Sequence, residues 1–82
     1  MLDEMQRALV GKILLYRYGL VEVNYYLILE LELTIQRPDV ITLECLAEDN
    51  RKARFYDMNL ATLQRLISTK KAEEYLDYYE IL

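Results

Sequence analysis

The side chains that most often carry out catalysis are scarce in this sequence. Its 82 residues include no histidine and one cysteine, Cys45. Without histidine, the chain lacks the usual general base, the commonest metal ligand and the partner that activates a nucleophilic serine or cysteine. A lone cysteine forms neither an intramolecular disulfide nor a zinc site of paired cysteines, and it indicates a reducing compartment. We therefore expect no catalytic residue, no metal site and no cofactor.

Carboxylates are the remaining candidates for chemistry. Glu30, Glu32 and Glu44 are predicted on the outer face of a sheet, with Glu32 directly opposite Glu44. A close pair of carboxylates can act as a general acid and base or bind a hard cation. Like charges at opposed positions are unfavourable, and Arg54 on the next predicted strand offers compensation. We favour a charge-balanced exposed face, and a carboxylate-based enzyme is the weakest functional alternative.

The alternation of side chains predicts the strand that carries Glu30 and Glu32. From residue 25 to residue 36, apolar and polar side chains alternate with the period of a strand that has one buried and one solvent-exposed face. Further strands are predicted over 40–47 and 52–57. The predicted buried positions of the first strand are Leu27, Leu29, Leu31, Leu33 and Ile35.

Loop lengths set the predicted register of this antiparallel meander. A three-residue loop at 37–39 keeps the apolar residues of both strands on one face, and it places Leu31 opposite Cys45. A second loop is predicted at 49–51, where Asn50 tolerates a left-handed backbone.

Helices are predicted at both ends of the chain. Residues 2–18 carry two apolar rows at helical spacing. Gly19 follows them, and glycine is typical of the position just after a helix C-terminus. A second helix begins after Asn59, a favourable N-cap. Its two apolar stripes do not share one face, so it either breaks near Ser68 and Thr69 or continues with its end against something else. The predicted fold is α+β, in the order α-β-β-β-α, with a three-stranded antiparallel meander packed on one face by the N- and C-terminal helices.

Two predicted surfaces combine aromatic or apolar residues with acids, a composition typical of protein interfaces. One is the open sheet face, and the other is the acidic C-terminal segment, where Tyr75, Leu76 and Tyr79 are expected to anchor the last helix. The candidate partner-binding residues are Tyr26, Ile28, Glu30, Glu32, Glu44, Leu46, Tyr56, Glu73, Glu74, Asp77, Tyr78 and Glu80.

Composition restricts the class of function. The 10 basic and 14 acidic residues give a net charge of −4, which disfavours direct binding of nucleic acid. A hydrophobic content of 54% is high for one domain of 82 residues, and it predicts a homodimer. No uncharged apolar run is long enough for a membrane span, and the acidic start is unlike a signal peptide, so we expect a cytoplasmic protein.

These observations predict a small acidic protein that acts through a surface. The expected function is protein–protein interaction of the inhibitor, immunity or adaptor type. The alternative is an acidic mimic of nucleic acid, of the kind that mobile elements encode, that blocks a nucleic-acid-binding protein.

Overall fold

Two helices and a six-stranded antiparallel sheet make up residues 2–82, the part of the chain that the computed structural model describes. In chain order, the elements are α1 (Leu2–Leu9), β1 (Ile13–Tyr18), β2 (Val23–Leu33), β3 (Val40–Ala47), β4 (Lys52–Asn59), α2 (Leu60–Thr69), β5 (Lys71–Glu74) and β6 (Asp77–Ile81). The strand order across the sheet is β4-β3-β2-β1-β6-β5. The α+β class is confirmed, and the predicted meander is the β2-β3-β4 half of a larger sheet.

The N-terminal helix is shorter than predicted. It ends at Leu9, and the chain then turns at Gly11, which has a φ of +85°. This left-handed conformation suits glycine because glycine has no Cβ. The Gly11 N–H donates to the carbonyl of Ile28 at 2.8 Å, so the chain enters the sheet here. The two apolar rows of 2–18 therefore belong to a helix and a strand, and the prediction of one helix is wrong beyond Leu9.

The C-terminal segment is a helix followed by a hairpin. Helix α2 begins as predicted after Asn59, whose side-chain oxygen accepts a hydrogen bond from the Ala61 N–H at 2.8 Å. It ends at Thr69, because Lys70 adopts a left-handed backbone with a φ of +67°. Of the two predicted alternatives, the break is therefore correct. The apolar residues of 71–82 follow the period of strands rather than that of a helix.

The connection between β2 and β3 is longer than predicted. It spans residues 34–39, so Leu31 pairs with Leu43 and not with Cys45. Leu31 is 3% exposed, which confirms its predicted core position. Leu33 is 58% exposed near the end of the strand and Ile35 is 98% exposed beyond it, so their predicted core positions are wrong.

A β-bulge in β2 changes which side chains face the core. Ile28 pairs with Cys45 and Glu30 pairs with Glu44, so Leu29 has no partner of its own on β3. Because strand side chains alternate, one extra residue reverses the two faces of the strand beyond it. Ile28 is fully buried as a result, and Leu29 lies on the outer face with 37% of its surface exposed.

The sheet curls strongly around its aromatic residues. The ring centroids of Phe55 on β4 and Tyr79 on β6 lie 6.1 Å apart. These strands are four positions apart in the sheet, and a flat sheet would separate them by about 19 Å. Tyr16 and Tyr26 complete the cluster, with centroids 5.1 Å and 5.0 Å from that of Phe55. Tyr26 therefore lies inside the curl, and its predicted position on the open face is wrong.

Both helices contribute side chains to the core inside the curled sheet. Helix α1 contributes Met5 and Leu9 to the core, and α2 contributes Leu63 and Leu66. The inner face thus carries the hydrophobic core, and surfaces available to partners lie on the outer face and at the ends of the strands.

Candidate interaction surfaces

The outer face of the sheet carries an apolar row that crosses three strands and continues at the end of a fourth. Leu46 on β3 pairs with Leu27 on β2, which in turn pairs with Ile13 on β1. Leu82, just after β6, continues the row because its N–H donates to the Ile13 carbonyl at 3.0 Å. Opposed residues of neighbouring strands point to the same face, so the row spans about 14 Å. We define the convex strip as this row with its outward neighbours, namely Ile13, Leu15, Tyr25, Leu27, Leu29, Leu46 and Leu82.

The convex strip is open to solvent although part of it was predicted as core. Ile13 and Leu29 are each 37% exposed and Leu82 is 59% exposed, while Leu27 is half-buried. The β-bulge turns Leu27 and Leu29 toward the outer face. Residues 13–18 were predicted as helix but form β1, and this strand places Ile13 beside Leu27. A contiguous apolar surface of this kind indicates an interaction site.

A cluster of three carboxylates lies beside the convex strip. Oxygen atoms of Glu30, Glu32 and Glu44 lie within 4.8 Å of one another. The Arg54 Nη2 atom is 3.5 Å from Glu32 Oε1 and 3.7 Å from Glu44 Oε2. The Lys52 Nζ atom is 3.5 Å from Glu44 Oε1. The predicted compensation by Arg54 is confirmed, and Lys52 adds to it.

Glu44 is the buried member of this cluster. It is 8% exposed, and it pairs with Glu30 on one side and Arg54 on the other, so its predicted opposition to Glu32 is wrong. Burial by itself would raise the pKa of Glu44, but Lys52 and then Arg54 hold this pKa below its ordinary value. The carboxylate is therefore ionised at neutral pH, which suits a structural ion pair better than a general acid.

The acids of the C-terminal hairpin divide between the two faces of the sheet. The Tyr16 hydroxyl donates to Asp77 Oδ1 at 2.6 Å on the inner face. Burial, together with Asp77, raises the pKa of Tyr16 to about 12. On the outer face, the Tyr78 hydroxyl donates to Glu80 Oε1 at 2.8 Å, and the guanidinium carbon of Arg17 lies 4.6 Å from the Tyr78 ring centroid. These contacts hold all three residues half-buried, with Asp77 on the inner face and with Tyr78 and Glu80 on the outer face.

The structure distributes the remaining candidate residues over separate surfaces. Ile28 is fully buried and contributes to no surface. Tyr56 is 70% exposed on the edge strand β4. Glu73 is exposed on β5, and Glu74 is half-buried at the end of that strand. The candidates therefore do not form one continuous patch.

Two neighbouring turns form a surface that the sequence pattern did not reveal. Leu20 and Val21 are exposed in the β1–β2 turn, and Tyr75 and Leu76 are exposed in the β5–β6 turn. The Gly19 N–H donates to the Leu76 carbonyl at 2.8 Å and joins the turns. We call these four apolar residues the hairpin-tip surface. Tyr75 and Leu76 were predicted to anchor a helix, and their exposure shows that this prediction is wrong. The sequence signal for this surface was the apolar pair Leu20 and Val21, which directly follows Gly19.

The one thiol of the chain belongs to the core. Cys45 is fully buried, as predicted, and burial together with Glu44 raises its pKa to about 12. Neither helix within residues 2–82 has the length and apolar character needed to cross a membrane. Comparison with protein-family models, curated proteins and solved structures gives no match. Functional inference therefore depends on the surfaces of this chain.

Proposed function

We propose that this chain is a non-catalytic protein-interaction protein that self-associates through the convex strip and binds a further protein with another part of its surface. The convex strip carries the proposal, because its apolar side chains lie on the outer face of adjacent strands. Their burial would contribute about 25 cal/mol for each Å² of apolar surface removed from water. Proteins of the inhibitor, immunity or adaptor type act in this way, through surfaces and not through bond making.

The convex strip is compatible with a second copy of the same chain. A two-fold axis along the apolar row would bring Leu27 of one copy against Leu27 of the other, and Leu29 against Tyr25. It would also turn Arg54 of one copy toward the exposed Glu48 of the other. At about 14 Å across, the row is small for a permanent dimer, so we expect a dissociation constant on the order of micromolar.

Sedimentation equilibrium tests the proposal with one pair of variants. The average mass of the wild type should rise from the monomer mass of 9.8 kDa toward twice that value as its concentration increases through the micromolar range. Ile13→Lys should shift the protein to monomer, because it places an unpaired charge within the interface. Ile35→Lys is the matched control, because Ile35 is 98% exposed in the β2–β3 connection. A monomer throughout, or equal dissociation constants for the folded variants, would contradict self-association.

An acidic mimic of nucleic acid is the second candidate function. Among residues 2–82, no ion pair neutralises the exposed carboxylates of Glu22, Glu48 and Glu73. Such a mimic should displace labelled duplex DNA from a lysine-rich DNA-binding peptide, and displacement should weaken steeply between about 50 and about 200 mM salt. Absence of displacement at the lower salt concentration would rule out this function.

A further inference from the structure

Tyr75 occupies a position that is unfavourable for its side chain in the free chain. It is the first residue of the two-residue turn between β5 and β6, its φ is +58°, and it is 91% exposed. A left-handed backbone is unfavourable for a bulky residue, and hairpin turns of this length favour glycine, asparagine or aspartate there. The exposed ring gains little packing in return. Neither backbone conformation nor packing within the chain therefore accounts for tyrosine at this position.

The residues around Tyr75 form a coherent apolar surface. Leu76 is its neighbour in the turn, and the Gly19–Leu76 hydrogen bond brings Leu20 and Val21 of the other turn to the same end of the sheet. Tyr18, the last residue of β1, is 47% exposed there, and it pairs with Asp77 across the strands. Apolar side chains of two turns thus lie at the same end of the sheet as an exposed aromatic ring.

Acidic residues outnumber basic ones at this end of the sheet, where Arg17 lies over the Tyr78 ring. Glu22 and Glu73 are exposed, and within residues 2–82 neither takes part in an ion pair. An apolar surface with such a rim is complementary to a segment that carries both apolar and basic side chains.

We propose that the hairpin-tip surface is the docking site for a basic segment of a partner protein, with Tyr75 as its anchor. The Tyr75 ring packs into an apolar pocket or beneath a lysine or arginine of that segment, and the exposed carboxylates of Glu22 and Glu73 pair with its bases. An anionic lipid surface is a poorer match, because these acids would be repelled by its headgroups. This inference rests on one part of the proposed function, namely that the chain binds proteins. It does not depend on self-association, because the convex strip is a different surface.

Replacement of Tyr75 should separate stability from binding. Tyr75→Asn places a residue that tolerates the left-handed backbone in the turn, so Tm should rise. The binding probe is a fluorescein-labelled peptide of alternating lysine and leucine, with a glutamate–leucine peptide as its control. Fluorescence anisotropy should show that wild type prefers the lysine peptide and that Tyr75→Asn binds it at least about tenfold more weakly.

Tyr56→Asn is the matched control, because it removes another exposed tyrosine from a strand on the opposite edge of the sheet. This variant should bind the lysine peptide like the wild type, whereas Glu22→Gln combined with Glu73→Gln should weaken binding. A fall in Tm for Tyr75→Asn, equal affinity of the two tyrosine variants, or no preference of the wild type for lysine would overturn the proposal.

Amide chemical-shift mapping distinguishes this inference from the proposed self-association. Titration with the lysine peptide should shift resonances of residues 18–22 and 73–77. Shifts confined to the convex strip would overturn the hairpin-tip assignment while leaving the strip as a binding surface. Shifts at the hairpin tip in a protein that sediments as a monomer would support the docking site and contradict self-association.

Discussion

The outer face of β3 and β4 and the hairpin-tip surface use acidic residues in opposite ways. On the outer face, Glu44 is buried between Lys52 and Arg54, and Glu32 shares Arg54. At the hairpin tip, by contrast, the exposed carboxylates of Glu22 and Glu73 form no ion pair within residues 2–82, and they lie at the same end of the sheet as exposed apolar side chains. Paired charges over a packed strand indicate a structural role. Unpaired charges around an exposed aromatic ring on an unfavourable backbone indicate a role outside the chain.

The largest expected effect lies in the core beneath the outer face. Leu31→Ala should lower the free energy of unfolding by about 2–5 kcal/mol, because it leaves a cavity among buried side chains. Leu33→Ala is the matched control, since Leu33 is largely exposed on the same strand and should cost much less. Urea denaturation of both variants measures the difference, and equal midpoints would show that the two leucines are packed alike.

A second prediction concerns the paired charges of the outer face. Glu44→Gln should destabilise the protein at neutral pH, because Lys52 and Arg54 lose their shared partner. The folded state holds the pKa of Glu44 below its ordinary value of 4.5, so this stabilisation is present above pH 4.5 and is lost as the pH falls through the lower folded value. Tm measured against pH should therefore show the wild type and the variant converging in acid. Glu30→Gln is the control. If Glu44 is the residue responsible, the Tm difference between Glu30→Gln and the wild type should not vanish in acid in the same way.

A third prediction concerns the interior beneath the hairpin tip. Tyr16→Phe removes the hydrogen bond to Asp77 and should cost about 1 kcal/mol at neutral pH. The pKa of Tyr16 is raised from 10.0 to about 12 in the folded state, so its stabilising contribution is complete below pH 10 and is lost as the pH rises toward 12. Chemical denaturation across this range should show wild type losing stability faster than the variant. Parallel curves would mean that Asp77 does not hold the tyrosine proton.

The smallest expected effect on folding is at the hairpin tip itself. Glu73→Gln should change the free energy of unfolding by less than about 0.5 kcal/mol, because Glu73 is exposed and unpaired within residues 2–82. It should nevertheless slow association with the lysine peptide at low salt, since peripheral charges act mainly on the association rate. Stopped-flow fluorescence measures that rate, and a large loss of stability would place Glu73 among the structural acids of the other surface.

Features that depend on short stretches of chain were predictable from the amino-acid order. The bounds of β3, the start of α2 at Asn59 and the left-handed Asn50 all agree with the predictions. A helix N-cap requires only a side-chain oxygen that reaches a backbone N–H in the first turn of the helix. A strand with apolar residues at alternate positions shows its two-residue period directly in the sequence. Within the candidate surfaces, the same local reasoning correctly placed Leu46 outside and Leu31 inside.

Tertiary structure decided which apolar residues are exposed, and thereby where the candidate surfaces lie. Apolar runs as short as 13–18 and 75–82 fit a helix or a strand equally well, and only pairing of β1 with β2 and β6 selects the strand. The bulge at Leu29 has no local signature, yet it exchanges the two faces of β2 and so creates the convex strip. The hairpin-tip surface likewise exists only because the sheet brings two distant turns together through the Gly19–Leu76 hydrogen bond. Burial is a property of the assembled sheet, and residues that are adjacent in sequence do not determine it.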